Sequence, residues 1–252
     1  MKNEFLSEGR EYELPIIYNI SGSEKTVCLV VHGFGSSKES FMAKMLLEQL
    51  PQRGIGAIAF DHPAHGESAV DGAFLRIKNS ITDLGAAEAH ARTIAPEAEI
   101  VYFASSFGAY VTLIYLAGQK RSKRRAFLRS AAVSMPRFIE RRLTQEQKES
   151  LESAGELILD KEKYGYIRDL KVTSGFFDDL EKHDVFSLWS EGQAKLHMVH
   201  GDADVTIPLS DAREFAEKFN VPLTVIPDGD HQLSIPGAPE QVLSLATDFF
   251  MR

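Results

Sequence analysis

The sequence predicts an α/β fold with a mainly parallel central sheet and helices on both of its faces. Two observations carry this. Short apolar runs rich in β-branched residues alternate with longer stretches of helical period. The runs are continuously apolar, as expected of strands covered on both faces. With 252 residues and no internal repeat or low-complexity linker, the chain suits one domain carrying an insertion.

Taken in order, the residues before Val27 add antiparallel edge strands, one near residues 11–18. Residues 27–32 form the first central strand, ended by Gly33. Residues 36–50 read as a helix: Ser36 and Glu39 have capping-box spacing, Phe41, Met45 and Leu46 share a face, and Pro51 stops it. Residues 55–60 form the second central strand. A helix over 80–94 carries Ile81, Leu84, Ala87, Ala91 and Ile94 on one stripe. A strand at 100–103 leads into a helix at 107–117, and a fourth strand at 131–135 is stopped by Pro136. Later come a strand at 196–200, a helix at 210–219, a strand at 223–226 and a closing helix at 239–250, with Pro239 in its first turn.

Residues 137–194 break this rhythm. They open highly charged (RFIERRLTQEQKESLES) and then carry Tyr164, Tyr166, Phe176, Phe177, Phe186 and Trp189. The expected organisation is a core domain of residues 1–136 and 195–252 with residues 137–194 inserted as a cap. The cap's aromatic residues either form its own small core or face a substrate. Phe176, Phe177 and Trp189 are the candidates for the second role.

The formal net charge of −8 opposes binding to phosphate backbones, so nucleic acid is not an expected partner. The basic run Lys120, Arg121, Lys123, Arg124 and Arg125 reads as a solvated face after a helix end. Cys28, the single cysteine, lies in an apolar run and reads as a buried structural thiol. The N-terminus has no signal-peptide core and no run reaches membrane-spanning length, so a cytoplasmic protein without membrane contact is expected. No Cys/His/carboxylate set has metal-site spacing and no phosphate-loop signature occurs, so neither a metal nor another cofactor is expected.

The strongest chemical signal is Tyr102-Phe103-Ala104-Ser105-Ser106-Phe107-Gly108, a buried strand running through a tight turn into a helix. Small residues two before and two after Ser106 permit the turn that lifts its hydroxyl above the sheet. The same turn aims the Phe107 N–H at the space where an oxyanion would form. Ser105 is a competing nucleophile, but its frame puts Phe103 and Phe107 where small residues are required.

Three further motifs follow strands in order: His32-Gly33-Phe34-Gly35, Asp61-His62-Pro63-Ala64-His65-Gly66-Glu67-Ser68, and Gly201-Asp202-Ala203-Asp204-Val205-Thr206-Ile207-Pro208. Asp228-Gly229-Asp230-His231 follows the last strand. Together with the serine turn, they resemble the α/β-hydrolase superfamily over nearly the whole chain, with Ala104 and Ala64 standing where the family usually has Gly. The resemblance implies the α/β-hydrolase fold and a serine hydrolase with Ser106 as nucleophile, His231 as general base and acid, and Asp204 as orienting acid. It adds the Phe34 N–H to that of Phe107 as the oxyanion hole. Asp202 competes with Asp204 but in the matched loop serves turn geometry. A metal reading of His32, His62 and His65 competes with their match to turns of the fold. HGFGSS, FDHPAHGES and the end of the cap near residues 182–186 look most like small bacterial cinnamoyl/feruloyl-esterase-like enzymes. This implies cleavage of a small-molecule ester with an apolar or aromatic acyl group. Thioesterase, peptidase-like and acyltransferase or perhydrolase chemistry remain alternatives with the same residues, as does a non-catalytic binding protein.

Overall fold

The apolar runs pair into an eight-stranded sheet in a computed structural model that describes residues 1–120, 124–137 and 143–252. The strands are β1 (Lys2–Leu6), β2 (Leu14–Asn19), β3 (Thr26–Val31), β4 (Ile55–Phe60), β5 (Glu99–Ser105), β6 (Arg125–Arg129), β9 (Lys195–Gly201) and β10 (Leu223–Ile226). Two more, β7 (Glu156–Leu159) and β8 (Leu170–Thr173), form a separate antiparallel pair. The main order is β1-β2-β4-β3-β5-β6-β9-β10. β1 and β2 run antiparallel to their neighbours, and the remaining pairs are parallel. The α/β-hydrolase fold expected from the sequence is thus the fold observed.

Side-chain alternation along each central strand feeds two cores. Leu29, Val31, Ile58 and Tyr102 point to one face, where helices Ile77–Ile94, Phe107–Ala117 and Leu209–Phe219 bury Leu84, Leu113 and Phe215. Cys28, Val30, Ala57 and Phe103 point to the other, covered by Leu46 and Leu47 of helix Phe41–Gln49 and Val242 and Phe250 of helix Ala238–Phe250. Burial pushes the Cys28 thiol well above its ordinary range, as suits a packing residue.

The structure corrects the sequence reading in several places. The first helix starts at Phe41, not residue 36, and its cap is Ser40, whose hydroxyl accepts from the Ala43 N–H. Residues before it are spent on Asp61: the Lys38 N–H donates to Asp61 Oδ1 at 2.7 Å, and the buried Lys38 ammonium sits 3.3 Å from Asp61 Oδ2 and 2.5 Å from Glu67 Oε2. Phe41, expected on the buried face, is 70 % exposed. The fourth parallel strand is Arg125–Arg129, not residues 131–135. Its arginines concealed it, while Ala131, Ala132, Val133 and Met135 are equally buried but lie beyond the strand. The chain therefore leaves the sheet at Arg129, six residues earlier than expected. In the basic run, Arg124 pairs with Glu88 and Arg125 with Glu99, so these two are not merely solvated. Residues 121–123 of that run, and 138–142 at the start of the expected cap, lie outside the described residues.

Between β6 and β9 the described chain holds helices Gln145–Ala154 and Ser174–Lys182, two short helices at Lys161–Tyr164 and Val185–Leu188, and the β7–β8 pair. None of it joins the main sheet. Polar links fasten it to the loops beneath: Arg76 to Asp179 at 2.7 Å, the Arg168 guanidinium to the Ser68 carbonyl at 3.0 Å, and the Ile167 N–H to the Gly35 carbonyl at 3.2 Å. No helix among the described residues is long and apolar enough to cross a membrane.

Candidate active site

Parallel β3, β5, β9 and β10 end at one edge of the sheet, so their C-terminal loops meet there. At the end of β5, Ser106 has φ 50° and ψ −116°, a left-handed conformation that costs a non-glycine residue on the order of 1–3 kcal/mol. Its surroundings hold it there. The Ser106 N–H donates to the Arg129 carbonyl at 2.9 Å, and the Ser106 carbonyl accepts from the N–H groups of Ala109, at 3.0 Å, and Ala132, at 3.2 Å. Gly108 lets the following helix touch the Val31 and His32 carbonyls, where any Cβ would collide. Gly33 lies opposite, where a Cβ would stand 3.1 Å from Ser106 Cβ.

His231 reaches this serine from the loop after β10. Its Nε2 lies 3.0 Å from Ser106 Oγ and its Nδ1 lies 2.7 Å from Asp204 Oδ2. A carboxylate can only accept, so Nδ1 carries the hydrogen and Nε2 presents its lone pair to the serine hydroxyl. Asp204 Oδ1 accepts from the Thr206 and Ile207 N–H groups, both at 2.8 Å. Burial alone would raise the Asp204 carboxyl, but hydrogen bonds from His200, His231 and Ile207 hold it well below the usual carboxylate range.

His200, near the end of β9, also bonds the acid, a role not assigned from the sequence. Its Nε2 is 3.1 Å from Asp204 Oδ2 and 3.0 Å from the Ile207 carbonyl, both acceptors, so this nitrogen carries the hydrogen. The competing residues face elsewhere. Asp202 Oδ1 accepts from the Asp228 N–H at 2.7 Å, joining the acid loop to the histidine loop, and Ser105 Oγ accepts from Arg129 Nε at 3.1 Å. The Phe34 and Phe107 N–H groups donate to no backbone or side-chain acceptor among the described residues, and both residues line the same cavity as Ser106 and His231.

That cavity encloses about 700 Å³. Leu143, Leu157, Leu159, Tyr166, Val172, Phe176 and Phe177 line it from the segment between β6 and β9, with Lys163 and Gln147 as its polar members there. Phe176 packs on Phe34 and Phe107 with ring centroids 5.9 Å apart in each case. Trp189 does not line the cavity. Its ring is buried against Phe215 of helix Leu209–Phe219, so the expectation that it faces a substrate is corrected: it anchors the end of the segment to the core. Tyr166, one of the cap aromatics but not among the three substrate-facing candidates, lines the cavity and lies against Gly35 so closely that a Cβ there would enter its ring.

Beneath the loop holding Phe34 lie His32, His62 and His65, all buried. His32 Nδ1 donates to the Gly33 carbonyl at 2.8 Å and its Nε2 accepts from the His62 N–H at 3.1 Å. The His62 ring has no hydrogen-bond partner among the described residues and packs against Phe60, Phe107 and His32. No group of His, Cys, Asp and Glu among the described residues is arranged to hold a metal. Burial pulls His32 down to about 4 and His65 to about 3, and puts His62 well below its ordinary value. The unfolded chain protonates these groups near pH 6.5, so their contribution to stability is complete above that and is lost as pH falls towards 4. Each histidine adds about 1.4 kcal/mol per pH unit in that window. Urea unfolding followed from pH 7 to pH 4.5 is expected to show this slope, and His62→Phe, which keeps the aromatic packing, to remove one histidine's share. An identical slope in the variant would mean that His62 is not held neutral.

A family model described as Serine aminopeptidase, S33 matches residues 22–160. No curated protein sequence matches the chain. Among solved structures, Est1E from Butyrivibrio proteoclasticus with ferulic acid bound is similar over 99% of this chain and 100% of that chain, at 16% identity and TM-score 0.82. Alpha/beta hydrolase domain-containing protein 10 from mouse is similar over 98% of both chains, at 18% identity and TM-score 0.76. A Pyrococcus furiosus esterase is similar over 100% of this chain and 90% of that chain, at 22% identity and TM-score 0.72. At these identities the likeness establishes the fold.

Proposed function

The chain belongs to the serine aminopeptidase family of α/β hydrolases, and from that premise we propose that it is a carboxylic ester hydrolase working through an acyl-enzyme on Ser106. The observation that carries the reading is the unbroken relay Ser106–His231–Asp204, with hydrogen-bond distances of 3.0 and 2.7 Å, beside two backbone N–H groups that have no acceptor among the described residues. Ser106 Oγ attacks the acyl carbon while its proton passes to His231 Nε2, and Asp204 stabilises the imidazolium. The Phe34 and Phe107 N–H groups take the oxyanion; losing one such donor costs about 3–4 kcal/mol of transition-state stabilisation. His231 returns the proton to the leaving alkoxide as the ester C–O bond breaks. Water then repeats the sequence on the acyl-enzyme, releasing the acid and restoring Ser106.

Ester cleavage fits the cavity better than removal of an amino-terminal residue, which needs a carboxylate for the substrate's ammonium. Among the described residues the only carboxylate lining the cavity is Asp230, and both of its oxygens accept from Ser234. A panel of aryl-acyl, alkyl-acyl and acetyl esters, their thioesters and aminoacyl amides tests this. Preferential turnover of the esters is expected, and aminoacyl amides cleaved faster than every ester would overturn the assignment.

The segment over residues 137–194 is assigned as the cap that chooses the acyl group, a small molecule with an apolar or aromatic face. Phe177→Ala is expected to lower kcat/KM for an aryl-acyl ester by about 10–100-fold relative to acetate, the worth of about 1–3 kcal/mol of pocket contact. Trp189→Ala is expected to cost about 3 kcal/mol of stability with an unchanged ranking of esters. A ranking that shifts with Trp189 and not with Phe177 would reverse these roles.

A further inference from the structure

Ser106 immediately follows β5 and His231 lies on the loop after β10, with β6 and β9 between these two strands in the sheet. At about 4.8 Å per strand spacing, the two strands are about 14 Å apart, so the histidine loop must fold back across the sheet edge to reach the serine. The last residue of β6 lies under that crossing. Arg129 is level with Ser105 on one side and Val199 on the other. Its carbonyl accepts from the Ser106 N–H at 2.9 Å. Its Nε donates to Ser105 Oγ at 3.1 Å, and its Nη1 donates to the Gln232 carbonyl at 2.5 Å. Ser105 immediately precedes the serine, and Gln232 immediately follows the histidine.

We propose that Arg129 is a positioning residue that clamps the serine turn and the histidine loop into one unit through a single planar guanidinium. The inference rests on the assignment of Ser106 and His231 as the reacting pair. A lysine cannot replace the clamp fully, because its ammonium on a flexible stem lacks the rigid fork that meets two acceptors at once. Burial lowers the Arg129 guanidinium to about 10, against the pull of the neighbouring Asp230 and Asp204 charges, so it is still a cation at neutral pH. The function of Ser105, an odd neighbour for a nucleophile, follows: its hydroxyl is the clamp's acceptor on the serine side.

The test compares Arg129→Met, Arg129→Lys and Ser105→Ala on a small activated acetate ester, with fluorophosphonate labelling and urea midpoints measured alongside. Misplacing a reacting group by a fraction of an ångström to one ångström costs up to about 100-fold. Arg129→Met is therefore expected to lower kcat by about 30-fold with KM within about 2-fold, and to slow labelling of Ser106 in parallel. Arg129→Lys is expected to recover only part of that loss, and Ser105→Ala to cost about 2–3-fold alone and little further in the Arg129→Met background, since both act through one bridge. Folded Arg129→Met with native kcat, or a loss that disappears on cooling in step with the urea midpoint, overturns the proposal. If Arg129→Met does not fold, native kcat in both Arg129→Lys and Ser105→Ala overturns it. A native chain that carries no label on Ser106 defeats the assignment of the reacting pair as well.

Discussion

Ser106→Ala is expected to abolish fluorophosphonate labelling and to lower ester turnover by at least about three decades, with the urea midpoint little changed. The size follows from the geometry. Ser106 Oγ is the hydroxyl that His231 Nε2 faces at 3.0 Å, and no other hydroxyl is bonded to that nitrogen among the described residues. Ser105 is buried, its oxygen turned to Arg129, so it cannot take over. What survives in the variant is the oxyanion pocket and substrate binding, which retain a small rate above water. Mass analysis of the labelled peptide together with steady-state rates checks this. Labelling that moves to Ser105, or an alanine variant at native rate, would place the nucleophile elsewhere.

The second large effect is Asp204→Asn, expected to cost about 10²–10⁴ in kcat with the fold intact. The amide can turn its NH₂ towards His231 Nδ1, which then carries no hydrogen, and Nε2 becomes a donor that cannot accept the serine proton. Two further bonds set the outcome. Oδ1 must still accept from Thr206 and Ile207, which fixes the amide oxygen at that position and the NH₂ at the position facing His231 and His200. The native carboxyl is held well below its ordinary range, so Asp204 stays ionised down to strongly acid pH and cannot be the group that titrates in the working range. Only the neutral imidazole can act as the base, which is the form the Nδ1–H to Asp204 bond holds ready. A fully active Asp204→Asn would contradict this relay.

Much of the sheet was legible because most central strands are continuous apolar runs and most of the helices that follow them keep a 3.6 period. Helix Phe107–Ala117 and strand Leu223–Ile226 fall on the expected residues. The misread strand, Arg125–Arg129, is the instructive case. Its terminal arginines are satisfied by Glu99 and by Ser105 and Gln232, partners 26, 24 and 103 residues away, which no local pattern reveals. The same holds for His200 and Trp189, whose roles depend on which side chains the folded topology puts beside them. In contrast, Ser106, Asp204 and His231 were readable because each sits at a fixed offset past a strand end, within a turn whose backbone shape restricts its neighbours.

The adjacency of β6 and β9 has a thermodynamic meaning for the long chain between them. Arg125 pairs level with Lys195 and Arg129 with Val199, so the segment leaves at one end of this parallel pair and returns at the other, a separation the sheet fixes whatever lies in between. The entropic cost of closing a flexible loop grows only with the logarithm of its length, about 0.6 kcal/mol for each doubling. The closure term therefore changes little when the segment is lengthened or shortened, and the larger cost of exchanging it lies in contacts such as Trp189 on Phe215. Ser106, Asp204 and His231 lie on other loops, outside that segment. The proposed chemistry and the proposed choice of acyl group are in this sense carried by separate stretches of one chain.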